Sequence, residues 1–233
     1  MHIVITRPKE ESLNLIDRLI KIGHSVTHLP VIKIEKLETQ KINLENYEAV
    51  IFTSSNAIKY MNVEKFDYKI KCFCVGSTTE RTAKQLGFIK TFSSEGTVDS
   101  LIELIIRTLD NKLGKLLYLS SEFISKDLDV DLISEGYLVD RISNYTSFPV
   151  EHIDKKTLEF IKNNPPDVFF IYSVKSAKNL FNLINKYSLL NIVTHSHLMC
   201  ISGKVLLVLK KIKWKKLFVF SPGEEEFTLN KIK

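Results

Sequence analysis

The sequence predicts an α/β protein built on parallel sheets, because short apolar strands alternate with amphipathic helical segments along most of its 233 residues. Hydrophobic residues make up 44% of the chain, which suits a packed core. We predict strands at residues 2–6, 49–53, 71–75, 115–119, 168–172, 197–201 and 216–220. We predict helices at residues 12–22, 55–61, 78–86, 98–109, 124–134, 175–186, 204–212 and 223–231.

The first predicted helix belongs to an arrangement that occurs twice. Its apolar face is formed by Leu13, Ile16, Leu19 and Ile20. Gly23 ends the segment 11 residues after Ser12, and Gly136 follows Ser125 by the same 11 residues. Extended segments at residues 30–37 and 143–150 break the α/β alternation. We therefore predict two domains of similar construction, with these two segments as the linkers between them.

Two predicted strands end in hydroxyl-rich turns. The first turn contains Thr53, Ser54, Ser55 and Asn56, and the second contains Ser173, Val174, Lys175 and Ser176. The first backbone N–H groups of a helix lack partners, and the helix dipole adds positive charge, so such turns attract anions. Helix capping alone also explains one such turn. The recurrence favours contact with a ligand, although the sequence leaves both interpretations open.

A third turn follows the strand at residues 71–75. It contains Gly76, Ser77, Thr78 and Thr79. A glycine that permits close backbone approach, followed by hydroxyl groups at a helix start, is typical of a site for a carboxylate or a single phosphate. The chain has neither the lysine and spacing of a Walker loop nor a GxGxxG motif, so nucleotide binding has weak support.

The net charge of +6 is unevenly distributed. Residues 36–146 carry 14 basic and 16 acidic side chains, whereas residues 147–233 carry 14 basic and 7 acidic ones. A basic half favours an anionic partner, either a nucleic acid or a polycarboxylate. A lysine-rich composition also produces this bias without any ligand. The basic run at residues 210–216 is typical of a solvated helix end, with nucleic-acid binding as the alternative.

The remaining chemistry-bearing residues exclude several classes of protein. Cys72, Cys74 and Cys200 form no disulfide framework and no CxxC zinc pair, so we expect buried reduced thiols. His195 and His197 have no carboxylate nearby in the sequence, and we expect no metal site. The chain has neither an apolar run of membrane-spanning length nor a signal peptide, so we expect a cytoplasmic protein.

These motifs together resemble the uroporphyrinogen-III synthase family over nearly the whole chain. The resemblance is carried by residues 5–8, 52–57, 75–79, 119–145 and 170–177. It implies two flavodoxin-like α/β domains with parallel sheets, joined by a two-stranded linker. Residues 1–33 and 147–233 would form a discontinuous domain, and residues 36–144 the inserted one. It also implies cyclisation of hydroxymethylbilane to uroporphyrinogen III, with loss of water, inversion of ring D and no cofactor or metal.

The resemblance also assigns roles to residues. The expected catalytic residues are Tyr145 and Thr79. Tyr145 lies where the family has a linker tyrosine and would assist departure of the hydroxyl group, and Thr79 matches a threonine of the family's first nest. Substrate binding is expected from Arg7, Thr53, Ser54, Ser55, Asn56, Gly76, Ser77, Thr78, Ser120, Lys126, Ser173, Lys175, Ser202, Gly203 and Lys204.

The second nest departs from the family pattern. The family has two threonines there, where this chain has Lys204 and Val205. Either Lys204 supplies a charged contact to a carboxylate or the activity is reduced. The turn that contains Ser120 lacks an expected glycine as well.

Two further expectations concern partners. We expect a monomeric enzyme that contacts neither nucleic acid nor membrane and takes hydroxymethylbilane, which hydroxymethylbilane synthase would transfer to it directly. The alternative is a non-enzymatic module of the same fold that senses an acidic metabolite.

Overall fold

The computed structural model describes residues 1–221 and 223–232, with the backbone alone at Glu10. The chain separates into two units of packed residues. The discontinuous unit comprises Met1–Lys33 and Phe148–Lys233, and the inserted unit comprises Ile34–Ser147. Pro222 and Lys233, which fall in the predicted range 147–233, lie outside the described residues.

The elements alternate as an α/β chain does. The strands are β1 (His2–Ile5), β2 (Ser25–His28), β3 (Ile32–Lys36), β4 (Ile42–Asn43), β5 (Ala49–Phe52), β6 (Val63–Lys65), β7 (Lys71–Val75), β8 (Lys90–Ser94), β9 (Lys115–Ser121), β10 (Leu138–Pro149), β11 (Val168–Ile171), β12 (His197–Cys200) and β13 (Lys216–Val219). The α-helices are α1 (Lys9–Lys21), α2 (Ser55–Lys59), α3 (Gly76–Leu86), α4 (Val98–Thr108), α5 (Leu128–Ser134), α6 (Lys155–Asn163), α7 (Val174–Lys186), α8 (Leu190–Val193), α9 (Gly203–Leu209) and α10 (Glu225–Leu229).

The discontinuous unit contains a five-stranded sheet in the order β13-β12-β11-β1-β2. Every pair of neighbours in it is parallel. The four residues of β11 are all buried, as are those of β12, which is expected of strands covered on both faces. Its main core cluster joins β1 and β11 to α1 through side chains such as Ile5, Leu19 and Phe170.

The inserted unit contains a six-stranded sheet in the order β3-β10-β9-β5-β7-β8. The pairs from β10 to β8 are parallel. Two apolar clusters cover its faces. One includes Ala57 and Ile58 of α2 and Ala83 of α3, and we call it the α2–α3 cluster. The other includes residues of α4 and α5, among them Leu101 and Leu132, and we call it the α4–α5 cluster. A separate pair of short strands, β4 and β6, completes the unit.

The predicted strands all occur, with bounds that shift by a residue or two. The elements that the sequence did not predict include β2, β8 and α6. The predicted helix at residues 124–134 is wrong over its first turn, because α5 begins at Leu128. Asp127 has ψ of 70°, outside the helical range, and the chain before it forms a loop. The repeated glycines both follow helix ends, since Gly23 donates to Ile20 and Gly136 to Ile133 in matching turns.

Candidate active site at the carboxyl edge of the inserted sheet

The inserted sheet has a point where its helical connections diverge. Strands β5 and β9 are neighbours. The helix after β5, α2, packs on one face of the sheet, and the helix after β9, α5, packs on the other. In open parallel sheets, ligands bind outside the carboxyl ends of strands at such a point, because the two loops separate there and leave a crevice. This edge is therefore where a ligand is expected.

A cavity of about 210 Å³ lies at this point. It is lined by Thr53, Ser54, Val98, Tyr118, Ser121, Phe123, Ile124, Ser125, Lys126 and Tyr145. The end of β5 supplies the hydroxyl-rich turn, and the loop between β9 and α5 supplies the residues from Phe123 to Lys126. The loop that replaces the first turn of the predicted helix thus forms one wall of the cavity.

Two hydroxyl groups meet inside this cavity. The Oγ1 of Thr53 lies 3.3 Å from the phenol oxygen of Tyr118. Tyr118 is almost fully buried, and this burial raises its pKa, so its hydroxyl stays protonated in neutral solution. Tyr118 lies within the predicted strand at residues 115–119 and was not among the predicted site residues. The available signal was a phenol in the middle of a buried strand, because such a hydroxyl needs a partner.

Tyr145 reaches the cavity from β10. Its side chain is 8% exposed, and its ring centroid lies 6.4 Å from that of Tyr60. Its main-chain carbonyl accepts a hydrogen bond of 2.9 Å from the amide of Glu122, which joins β10 to the cavity loop. A buried phenol of this kind has apolar surroundings and an O–H group that can serve as a hydrogen-bond donor.

Arg141 fixes the start of the same loop, and the sequence analysis missed it. Its guanidinium donates to the Oγ of Ser120 at 3.0 Å and to the carbonyl oxygens of Ser121 and Glu122, both at 3.2 Å. Ser120 is fully buried, and its hydroxyl also donates to the carbonyl of Ser121. Ser120, predicted to bind substrate, therefore supports the cavity wall from behind. Arg141 pairs in register with Tyr118, which brings a positive charge beside that phenol.

Lys126 lines the cavity but is already paired. Its ammonium group forms salt bridges with Asp99 and, at 3.2 Å, with Asp131. These two carboxylates raise the pKa of Lys126, Asp99 first. A substrate carboxylate would have to compete with both of them for this charge.

The first turn forms part of the cavity as a helix cap. The Oγ of Ser54 accepts from the amide of Asn56 at 3.2 Å and thereby caps α2. Thr53 and Ser54 line the cavity, whereas Ser55 and Asn56 are half-buried on the first turn of the helix. Capping and contact with the cavity are therefore combined at Ser54.

The predicted nest after β7 begins earlier than expected. Helix α3 starts at Gly76, whose φ of +73° favours glycine. Ser77 and Thr78 are exposed on its first turn, while Thr79 is 6% exposed. None of these residues is among those that line the cavity. The structure thus brings Tyr145 to the cavity and leaves Thr79 apart from it.

The site residues predicted in the discontinuous unit lie at the carboxyl ends of its own strands. The guanidinium of Arg7 pairs with Glu11 at 3.0 Å and lies 4.6 Å from the ring centre of Tyr172. Ser173 caps α7 through the amide of Ser176 at 3.0 Å, with Lys175 half-buried on the first turn of that helix. Ser202 caps α9 through the amide of Val205 at 3.4 Å, and Gly203 and Lys204 are exposed.

The remaining motifs of the sequence are the histidine pair, the basic run and the cysteines. His197 is buried, and burial, followed by Lys215 and Lys216, lowers its pKa. Trp214, the aromatic residue of the basic run, is 7% exposed and donates to the carbonyl of Leu209, so its ring is not available for stacking on a base. The three cysteines are free and buried.

Residues 1–221 and 223–232 contain neither a metal-binding cluster nor a membrane-spanning helix. Within those ranges no cluster of three or more His, Cys, Asp or Glu side chains is placed to hold a metal ion. No helix there combines the length and apolar character needed to cross a bilayer.

Comparison with known proteins gives one curated relative and several solved structures. The Porphyrin biosynthesis protein HemD of Ruminiclostridium josui is 28% identical over 159 residues, which cover 62% of this chain and 32% of the relative. The chain thus spans about a third of the length of that relative.

The solved structures support the fold. The uroporphyrinogen-III synthetase of Helicobacter pylori is similar with a TM-score of 0.65 and 17% identity, over 98% of both chains. A mutant uroporphyrinogen III synthase of Thermus thermophilus has a TM-score of 0.58 and 14% identity, over 100% of this chain and 97% of that one. At these identities the likeness shows a mixed α/β fold with parallel sheets.

A family model described as Uroporphyrinogen-III synthase HemD matches residues 14–223. Because this match extends over most of the sequence, the chain belongs to the uroporphyrinogen-III synthase family.

Proposed function

We propose that this chain cyclises hydroxymethylbilane to uroporphyrinogen III, with loss of water and inversion of ring D. The observation that carries the proposal is the grouping of Tyr145, Tyr118 and Thr53 around one cavity at the divergence point of the inserted sheet. The substrate is inferred from membership of the family. The hydroxyl groups that border the cavity can donate hydrogen bonds to a leaving hydroxyl group.

The first step needs one proton. The phenol of Tyr145 donates its proton to the terminal hydroxyl of the substrate, the carbon–oxygen bond breaks, and water leaves. The adjacent pyrrole nitrogen supplies the electron pair that expels the hydroxyl, which gives an azafulvene cation. General acid assistance of this kind typically contributes about 10²–10⁴-fold.

The second step forms the macrocycle. The α-carbon of ring D that carries the bridge to the rest of the chain attacks the azafulvene carbon and gives a spiro intermediate. The bond between this α-carbon and its old bridge carbon then breaks, and the bridge carbon becomes the new azafulvene carbon. The free α-carbon of ring D attacks it, and the proton lost from that α-carbon returns to the phenolate of Tyr145. The net change is loss of one water. The protein's main task is to hold the chain in the conformation that inverts ring D and to prevent direct closure, which is catalysis by orientation.

The acidic arms of the substrate need cationic or N–H donors. We propose that the capped turns at Ser54, Ser173 and Ser202 contact these arms through backbone N–H groups, with Lys126, Arg7 and Lys204 as charged contacts. In the structure Arg7 and Lys126 form salt bridges with Glu11 and Asp99. We expect the carboxylates of the substrate to replace these two protein carboxylates when it binds. The roles of Thr79, Gly76, Ser77 and Thr78 stay predictions. Thr79→Val tests the first of these.

We also propose that the two units are flavodoxin-like domains joined by a two-stranded linker. Counted along the chain, the strands of the discontinuous unit follow the order 2-1-3-4-5, which is the flavodoxin order. Strands β3 and β10 are hydrogen-bonded neighbours, and each spans a boundary between the units. Both facts support the linker assignment.

Four further properties complete the proposal. We propose a cytoplasmic monomer that needs no cofactor and receives hydroxymethylbilane from hydroxymethylbilane synthase. Sedimentation of the purified chain, alone and mixed with that synthase, tests the monomer and the transfer separately.

Analysis of the product isomers tests the activity directly. Hydroxymethylbilane, produced in place by hydroxymethylbilane synthase from porphobilinogen, is incubated with the purified chain, and the products are oxidised and separated as uroporphyrin isomers. We expect mainly the type III isomer. A protein-free reaction gives the type I isomer, and that same result in the presence of the chain would reject the proposal. The non-enzymatic sensor has no supporting observation.

A further inference from the structure

Strand β10 contains one extra residue beside the cavity. Ser143 pairs with Ser120 on β9, and Tyr145 pairs with Ser121, so Asn144 has no counterpart on β9. Such a β-bulge interrupts the regular alternation of side chains between the two faces of a sheet. The side chains before and after the bulge therefore no longer follow one alternating pattern.

The bulge decides which face Tyr145 occupies. Ile142 packs with the α2–α3 cluster, and Val139 packs with the α4–α5 cluster, as alternation requires. Regular alternation would place Tyr145, three residues after Ile142, on the opposite face. Tyr145 instead belongs to the α2–α3 cluster. One extra residue thus reverses the direction of its side chain.

Asn144 attaches the bulge to α2. Its side chain is 0% exposed, and its Nδ2 donates a hydrogen bond of 2.7 Å to the carbonyl of Ala57. The amide of Met61, four residues after Ala57, donates to Ile58 instead, which leaves the Ala57 carbonyl to Asn144. The carbonyl of Asn144 in turn accepts from the amide of Leu37 at 3.0 Å. Asn144 is therefore held from two sides.

We propose that Asn144 is a positioning residue, which ties the bulge of β10 to α2 and so directs the Tyr145 hydroxyl to the cavity. This inference rests on the proposed function of Tyr145. Asn144 acts through Tyr145 and touches no substrate. Removing its amide frees the bulge to relax toward regular pairing, which turns Tyr145 away from the cavity while the sheet persists.

The kinetic test is a double-mutant cycle. We expect Asn144→Ala to lower kcat about tenfold or more and to leave KM within about twofold, because misplacing a donor by about 1 Å is costly. In a Tyr145→Phe background, the same substitution should lower kcat by less than about twofold. Thr146→Val is the matched control, since Thr146 is also buried on β10 and its Oγ1 has no partner among the described residues. The kcat of the Thr146→Val variant should equal that of the parent chain.

A second readout needs no activity. Nitration of tyrosines by tetranitromethane, mapped by mass spectrometry, should be slow at Tyr145 in the parent chain and faster in Asn144→Ala. Tyr68, which is 51% exposed, serves as the internal reference. If Asn144→Ala fails to fold, Asn144→Ser, which keeps a smaller donor, takes its place.

The outcomes separate the two proposals. Unchanged kcat and unchanged nitration in the Asn144 variants, or equal losses in the two backgrounds of the cycle, would overturn the positioning role. A parent chain that yields no type III isomer would overturn the proposed function, and the nitration rates would then still decide whether Asn144 places Tyr145.

Discussion

The two units contain the same arrangement of strands reached by different routes along the chain. The order β8-β7-β5-β9-β10 in the inserted unit corresponds to β13-β12-β11-β1-β2 in the discontinuous one. In this correspondence β5 matches β11 and β9 matches β1, so one sheet is a circular permutation of the other. Ser54 and Ser173 then occupy equivalent caps, after equivalent strands.

The units differ in what surrounds those caps. Beside Ser54, the phenols of Tyr118 and Tyr145 border a cavity. Beside Ser173, Tyr172 follows the strand and is covered by the guanidinium of Arg7, which Glu11 holds in place. A shared sheet therefore provides the location of a site, whereas the residues that follow the strands decide whether a cavity with hydrogen-bond donors forms there.

The largest effect is expected from the cores. Phe73 of the inserted unit and Phe170 of the discontinuous unit are both 0% exposed. Each replaced by Ala should lower the free energy of unfolding by about 3–5 kcal/mol, because a large buried ring leaves a cavity. Urea unfolding measures the loss. Hydrogen exchange should show that protection of the backbone amides falls in the mutated unit, because each of these two core clusters consists of residues from a single unit. Equal loss of protection in both units would contradict this.

The next effect concerns the two phenols at the sheet edges. Tyr145→Phe should lower kcat by about 10²-fold, as expected for loss of a general acid, with little change in stability. Tyr172→Phe is the matched control from the other unit, since Tyr172 follows β11, the strand that matches β5, and is not among the residues that line the cavity. Isomer analysis and thermal unfolding of both variants provide the measurements. Full activity of Tyr145→Phe would remove Tyr145 from the mechanism.

A smaller effect is expected from the two caps. Ser54→Ala and Ser173→Ala should each destabilise the chain by about 1 kcal/mol, because each removes the oxygen that accepts from a helix N–H group. Only Ser54 lines the cavity, so Ser54→Ala should also raise KM by a few-fold more than Ser173→Ala does. Identical KM values in the two variants would indicate that Ser54 is a cap alone.

The smallest effect near neutral pH comes from ionisation of buried phenols. Burial raises the pKa of Tyr118 and of Tyr172 above the ordinary value of 10.0. The folded chain then binds these protons more tightly than the unfolded chain, so stability is full below pH 10 and falls as the pH rises beyond it. Tyr118→Phe and Tyr172→Phe should each make the loss between pH 9 and 11 shallower, as measured by urea unfolding. A steeper loss would contradict the sign.

The sequence predicted the strands well because short apolar runs bounded by turn residues leave few alternatives. Residues 71–75, for instance, form β7 as expected. It also located the turn at Thr53 and Ser54, whose capping chemistry is local. It did not predict Arg141 or Asn144 as parts of the site, because their roles depend on partners far along the chain. Arg141 acts on the end of β9, and Asn144 acts on Ala57, 87 residues away.

The helix predicted from residue 124 is an overprediction, because its first turn is a loop in the structure. Apolar periodicity continued into the loop, but Lys126 is paired with Asp99 and Asp131 there, and α5 starts only at Leu128. Helix α5 is thus shorter than local propensity favours, and Lys126, two residues before its start, forms a tertiary ion pair instead of extending the helix. The predicted roles of Thr79 and Lys204 rest on resemblance, and Thr79→Val tests the first of them.

The circular permutation has a consequence for biosynthesis. Within this chain β1 and β2 are synthesised before β11, so β1 gains its second neighbour only after about 140 further residues have been made. At about 5–20 residues per second, this delay is on the order of ten seconds. The inserted unit can complete its sheet during that time. Until β11 is made, β1, with the apolar side chains of Ile3, Val4 and Ile5, has β2 beside it and one open edge, and an open apolar edge of this kind is prone to pairing with other chains.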